Sequence, residues 1–218
     1  MSITKRTRAE LARRVAQDMF DGAYVNLGIG LPTMVADHLP PDREIFLHSE
    51  NGVLGMGPAP AKDEIDPDLM NAGKQPVTLL KGGAFFHHAD SFAMIRGGHI
   101  DICVLGAFQV ALNGDLANWS TGEPDAIPAV GGAMDLAVGA KNIWVMMEHQ
   151  TRKGESKIVE HCSYPLTGAA VVKRIYTDLA VIDVTRQGLE AYDLVPGLSL
   201  DELRKLSGVA LRAKGAAR

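Results

Sequence analysis

The spacing of apolar residues changes several times along this chain, and each change marks an element. Leu11, Ala12, Val15, Ala16 and Met19 recur at helical spacing, with Arg13, Arg14, Gln17 and Asp18 on the other side. This predicts an amphipathic helix over residues 7–20, which Gly22 ends. Residues 23–27 read as a strand, Gly28-Ile29-Gly30 as a tight loop, and Pro32 as the start of a helix running to about residue 39. The run at 44–48 is a short buried strand, stopped by the turn signal Asn51-Gly52. Further strands are expected at 77–80, 100–105, 143–147 and 179–184, with a helix near 90–96. Ser199 with Glu202 three residues on is a capping box; Leu200 and Leu203 begin an apolar face, and Gly208 stops that helix. Residues 212–218 read as a frayed tail. Strands alternating with helices predict a single α/β domain over residues 1–218, built on a mostly parallel sheet with flanking helices.

Composition narrows the function classes. A chain of 218 residues and 23.3 kDa can fill one core. With 46% hydrophobic and 22% charged residues it is ordinary for a soluble globular protein. Its apolar runs are too short to span a bilayer, and the basic start Lys5-Arg6-Thr7-Arg8 leads into no signal-like segment, so a cytoplasmic location is expected. A formal net charge of −4 gives no pull toward nucleic acid or anionic lipid, so anionic substrates must be held by local donors. Cys103 lies in a buried apolar run and Cys162 follows His161, which implies neither a disulfide framework nor a catalytic dyad, because sequence neighbours rarely face each other. The loops at 57–73 and 119–132 are longer than connectors usually are, which favours a functional role for both.

The chemistry concentrates in His48-Ser49-Glu50-Asn51-Gly52. Glu50 should stand at the carboxyl end of a strand, the rim where open α/β sheets bind ligands. With a reference pKa of about 4.3 it is ionised at neutral pH, so in a dry pocket it can attack an acyl group without a base, metal or organic cofactor. Spacing alone favours the plainer reading, that it caps the turn or pairs with a cation. Gly28 and Gly30 suggest a dinucleotide loop, but position 33 is threonine rather than the third glycine; they can instead frame an acyl or anionic group, or serve a tight turn. Gly131-Gly132 precede an apolar helical stretch and can offer backbone amides as an oxyanion hole, or simply satisfy a loop with positive φ. His87 and His88 are adjacent and would point to opposite faces of a strand, one inward and one outward, so no metal site is expected.

Five landmarks in order carry a resemblance: Asn26-Leu27-Gly28-Ile29-Gly30-Leu31-Pro32, Ser49-Glu50-Asn51-Gly52, the run at 90–98, the run Gly114-Asp115-Leu116-Ala117-Asn118-Trp119, and Gly131-Gly132-Ala133-Met134-Asp135. Over residues 5–211 the chain resembles the beta (B-type) component of bacterial two-subunit 3-oxoacid coenzyme A transferases. The resemblance implies that Glu50 is a nucleophile, that Gly132 with Gly131 supplies the oxyanion hole, and that Asn26 lies near the reacting thioester. Asn51, His87 and His88 are further candidate substrate contacts, and Gly28 and Gly30 candidate contacts to the coenzyme. It also implies a heterologous alpha (A-type) partner, as a heterodimer or A2B2 heterotetramer, with coenzyme A as substrate carrier and no tightly bound cofactor. Among such proteins the chain is most similar to those acting on 3-oxoadipate, on the run 82–90 with its two histidines, the run 101–109 and Gly154-Glu155-Ser156-Lys157. His87 or His88 would then hold the distal carboxylate that 3-oxoadipate has and acetoacetate lacks, the alternative being that both are structural. The rival readings are the same chemistry on acetoacetate, a non-catalytic binding protein, and a sugar-phosphate isomerase on a related fold.

Overall fold

The computed structural model describes residues 3–123 and 129–215. Its strands are β1 (Tyr24–Leu27), β2 (Phe46–Ser49), β3 (Val53–Met56), β4 (Leu79–Phe85), β5 (Ile102–Leu105), β6 (Gln109–Ala111), β7 (Leu116–Ala117), β8 (Asn142–Met147), β9 (Ile158–Val159), β10 (Val172–Thr177), β11 (Val181–Thr185), β12 (Gly188–Tyr192) and β13 (Leu211–Ala213). The helices are α1 (Arg8–Gln17), α2 (His88–Arg96), α3 (Ala133–Gly139) and α4 (Leu200–Ser207), with a 3₁₀ helix at Leu31–His38. One large sheet runs β13-β12-β11-β10-β8-β5-β1-β2-β3-β4, while β7-β6-β9 form a small second sheet.

The middle of the large sheet, β2-β1-β5-β8-β10, is parallel throughout. Its central strands β5 and β8 are apolar on both sides because both faces are covered. Along β5, Ile102 and Val104 pack into a cluster with Leu11 and Val15 of α1, while Cys103 and Leu105 pack into the opposite one with Ile95 of α2 and Leu136 of α3. Along β8, Trp144 and Met146 alternate with Ile143 and Val145 in the same way. Antiparallel strands extend the sheet on both flanks: β3 and β4 beyond β2, β11 and β12 beyond β10.

Both helix ends that sequence chemistry can specify are present. Ser199 and Glu202 cap α4 reciprocally, and Gly208 ends it with φ 66°. Thr7 and Glu10 make the same box on α1. The segment after Pro32 is helical but wound as 3₁₀, which sets Pro32 and Val35, three residues apart, in line on the buried side.

Several elements differ from expectation. The strand β10 is hidden in the sequence because Lys173 and Arg174 interrupt its apolar run; Arg174 lies in the sheet with its guanidinium bonded to Asp18 at 2.9 Å and 5.6 Å above the Trp144 ring. The tail does not fray at residue 212: Arg212 and Ala213 belong to β13, parallel to β12 and anchored by buried Leu211, while residues 216–218 lie outside the described residues. His87 and His88 are not on a strand with one side chain in and one out. They start α2, His87 as its cap and His88 as its first residue.

His149, just past β8, is sealed in the core, its ring between the hydroxyls of Thr177 (3.2 Å) and Ser207 (2.8 Å). Burial lowers its pKa from 6.5 to about 4. The unfolded chain therefore takes up a proton at this imidazole that the folded chain refuses, so the stability is present above pH 6.5 and lost as pH falls toward 4. Urea unfolding across that window is expected to show a loss on the order of 3 kcal/mol from this group, and a shallower pH slope in His149→Gln.

Candidate active site

The carboxyl ends of the parallel strands open into a cleft of about 920 Å³. Gly28 after β1, Glu50 after β2, Gly106 after β5 and Glu148 after β8 all line it. Gly30 and the start of the 3₁₀ helix form one wall, and Trp119 with Ala129 to Ala133 another. Arg8, Glu148 and Lys157 lie along it as well, Arg8 and Glu148 paired at 3.1 Å. Both long loops reach this region: the 119–132 loop lines the cleft from each end, its residues 124–128 lying outside the described residues, and the 57–73 loop clasps the turn that bears Glu50.

That turn is built from short-range constraints. β2 and β3 form a hairpin over Glu50, Asn51 and Gly52, closed by the Gly52 amide donating to the Ser49 carbonyl at 2.9 Å. Gly52 has φ 105°, and a Cβ there would collide with the Phe86 carbonyl oxygen, so only glycine closes the loop at this spacing. The Asn51 side chain donates to the Met70 carbonyl at 2.7 Å, and Ser49 Oγ accepts from the Ala72 amide at 3.0 Å. Asn51 thus holds the loop beside the turn, its own side chain exposed and away from the cleft lining.

Glu50 is half-buried, and that burial holds its carboxyl above the ordinary value, offset in part by the charge of nearby His88. Gly132, the residue before α3, lies directly opposite: a Cβ on it would stand 3.6 Å from Glu50 Oε1 and 2.7 Å from the Phe92 ring. A glycine is required there to leave room for the Phe92 ring and the carboxylate. Glu50, Gly28, Gly30, Gly131 and Gly132 are therefore brought together on one cleft.

Asn26 is placed differently. It is 1% exposed and does not line the cleft. Its amide donates to His48 Nδ1 at 3.1 Å and to the His48 carbonyl at 3.3 Å, and its oxygen accepts from the Cys103 thiol at 3.7 Å. His48, Asn26 and Cys103 are register partners on β2, β1 and β5, so they form a polar row across one face of the sheet directly beneath the cleft. His48 Nε2 lies 2.9 Å from Ser91 Oγ of α2, and burial lowers its pKa to about 4, keeping the imidazole neutral. Sequence reasoning missed His48 and Ser91; the signal was a polar residue at an inward strand position, paired in register with another.

His87 caps α2, its Nδ1 accepting from the Ala89 amide at 3.1 Å. His88 follows with its ring 4.9 Å from Phe92, the residue packed on Gly132. Neither histidine lines the cleft itself. Cys162 donates to the Asp115 carbonyl at 3.7 Å, its thiol pushed up to about 11 by burial, and neither it nor His161 reaches the cleft. Among the described residues no helix is long and apolar enough to cross a membrane, and no group of three or more His, Cys, Asp and Glu converges to hold a metal ion.

Comparison with known proteins bears on the family of the chain. The chain is 66% identical to the beta (B-type) component of the Pseudomonas putida 3-oxoadipate CoA-transferase, covering 97% of this chain and 99% of that one. It is 64% identical to the protein of that name from Acinetobacter baylyi, over 97% of each. To the corresponding component of the Helicobacter pylori succinyl-CoA:3-ketoacid coenzyme A transferase it is 48% identical, over 91% of this chain and 95% of the other. Among solved structures, the Escherichia coli O157:H7 acyl-CoA transferase apoenzyme superposes with TM-score 0.73 at 18% identity; 98% of this chain spans 43% of that longer one. Glutaconate coenzyme A-transferase from Acidaminococcus fermentans superposes with TM-score 0.67, also at 18% identity, over 97% of this chain and 88% of that one, and both likenesses concern the fold. Residues 8–206 match the coenzyme A transferase family, and with relatives this similar over nearly its whole length the chain belongs to that family.

Proposed function

We propose that this chain is the beta component of a cytoplasmic enzyme that moves coenzyme A from succinyl-CoA to 3-oxoadipate, with Glu50 as its nucleophile. The observation that carries the reading is the half-buried carboxylate of Glu50 facing Gly132 across a cleft at the carboxyl edge of the sheet. The names of the relatives at 64 and 66% identity supply the acceptor acid.

Glu50 attacks the thioester carbonyl of succinyl-CoA, and the tetrahedral oxyanion is met by the backbone at Gly131 and Gly132. Collapse expels the coenzyme A thiolate and leaves a mixed anhydride. The thiolate then attacks the glutamyl carbonyl, releasing succinate and leaving coenzyme A in thioester linkage to Glu50. The carboxylate of 3-oxoadipate attacks that thioester, and the same steps in reverse order deliver 3-oxoadipyl-CoA and free Glu50. Thioester energy is conserved only if water is kept out, which a partly desolvated carboxylate favours. Coenzyme A is a substrate carrier here, and no tightly bound cofactor or metal enters the steps. Gly28 and Gly30 let the backbone approach the acyl or anionic end of the ligand. An alpha (A-type) partner, in a heterodimer or an A2B2 heterotetramer, completes the pocket.

Of the two histidines, His87 has its Nδ1 taken by the helix cap, and His88 acts on Glu50 through its charge, so His88 is assigned the distal carboxylate of 3-oxoadipate although it does not line the cleft of this chain alone. The alternative acceptor, acetoacetate, lacks that group.

Three outcomes are expected of the assembled enzyme. Incubation with succinyl-CoA alone followed by borohydride should convert Glu50 to an alcohol and abolish activity; Glu50→Ala should form no adduct and lose on the order of 10⁴-fold in turnover, and a Glu50→Ala enzyme that still turns over would exclude this nucleophile. The acid limb of kcat/KM should fall above 4.5, because burial raises the Glu50 pKa, and should move further up in His88→Ser, which removes the opposing charge. His88→Ser should also reduce the preference for 3-oxoadipate over acetoacetate by about 10- to 100-fold, the worth of one charge-assisted hydrogen bond, while His87→Ser leaves it intact.

A further inference from the structure

We infer that Asn26, His48 and Ser91 form a hydrogen-bonded strut that aims Glu50 at Gly132, His48 acting as a positioning residue rather than as an acid, base or substrate contact. The inference rests on Glu50 being the nucleophile.

The proton order along the strut is determined by its ends. Cys103 donates to Asn26 Oδ1, so the Asn26 amide nitrogen faces His48 and donates to Nδ1. His48 then carries its proton on Nε2 and donates to Ser91 Oγ at 2.9 Å, and the Ser91 hydroxyl is left to donate to the Ser49 carbonyl at 3.4 Å. Every polar side-chain atom of this sealed row has a partner, and each of His48 and Ser91 is 1% exposed or less. The desolvated imidazole stays neutral, which this order needs: a second ring proton on Nδ1 would face the Asn26 donor.

The strut ends where the chemistry begins. The Ser49 carbonyl that accepts from Ser91 is also the acceptor that closes the Glu50 turn, and Glu50 is the next residue. Ser91 lies on the same turn of α2 as Phe92, whose ring packs on Gly132, and one turn after His88, whose charge reaches Glu50. One hydrogen bond, His48 to Ser91, therefore sets the nucleophile that follows β2 in register with the oxyanion wall that α2 supports. Small displacements of a nucleophile from its attack geometry cost large factors in rate, so a strut of this kind acts on kcat.

The test uses the assembled enzyme with His48→Phe, which keeps the ring stacked on Phe86 but removes both hydrogen bonds, with Ser91→Ala, which removes only a hydroxyl, with both together, and with His48→Gln, which keeps a neutral donor and acceptor. The strut predicts that His48→Phe and Ser91→Ala each lower kcat and the rate of Glu50 acylation by about 10- to 100-fold, with KM for succinyl-CoA changed less than about threefold. It predicts that the double variant is no slower than His48→Phe, because both break one network, and that His48→Gln recovers most of the rate. Unchanged kcat in either single variant, a multiplicative loss in the double, or a loss confined to KM overturns it. If His48→Phe does not assemble, Ser91→Ala with His48→Gln decides the matter alone. Failure of the strut leaves Glu50→Ala inactive, whereas failure of the nucleophile assignment leaves Glu50→Ala turning over, so the two are told apart.

Discussion

A carboxylate at the carboxyl edge of a parallel sheet sits where the chain must leave the strand, and here it leaves through a loop of three residues. That loop closes only because Gly52 takes a φ of 105° against the Phe86 carbonyl, which no side chain permits. The geometry of the turn gives Glu50 little freedom. It points into the cleft because Ser49 is tied at its carbonyl and its hydroxyl, and because the 57–73 loop is bonded to the turn from outside. A long side chain on a flexible loop would instead lose rotamer entropy each time it took up an attack position.

The second requirement is dryness without neutralisation. Burial raises the Glu50 carboxyl and disfavours its charged form, while the nearby His88 works against that. The half-buried carboxylate is thus less solvated than a surface glutamate. Beneath it the polar row of His48, Asn26 and Cys103 interrupts an apolar core, and such an interruption costs stability unless every donor and acceptor is matched. All are matched here. The thiol of Cys103 takes part only as a weak donor; burial and the charge of Glu50 push its pKa up, which leaves it inert as a nucleophile.

The fold serves both requirements through its two cores. Residues alternate along β5 and β8 between the α1 side and the α2–α3 side, so the central strands are gripped from both faces and their carboxyl ends are fixed relative to one another. Glycines appear where backbones must approach: Gly28 against the Val104 carbonyl, Gly132 against Glu50 and Phe92. In each case added bulk would fill the cleft or displace one of its walls.

Much of this was legible in residue order alone. The amphipathic period of α1, the Ser199–Glu202 box, the apolar runs of β5 and β8 and the Asn51-Gly52 turn are local signals, written by neighbours within one or two turns of chain; the proposed nucleophile Glu50 and the glycines around it were marked by the order of the five landmarks. What local order could not supply is which polar residues share a face. Asn26 and His48 are 22 residues apart and Ser91 lies 43 beyond His48, and only the parallel register of β1 and β2, with α2 packed over it, turns them into one hydrogen-bonded row. The same holds for the paired histidines, where the chain's entry into α2 makes one a cap and leaves the other near Glu50, and for Arg174, whose charge concealed a sheet strand because its acidic and aromatic partners lie elsewhere in the sequence. Local chemistry determines what each segment can be; pairing over long distances in the chain decides which side chains meet, because a hydrogen bond depends on position in space.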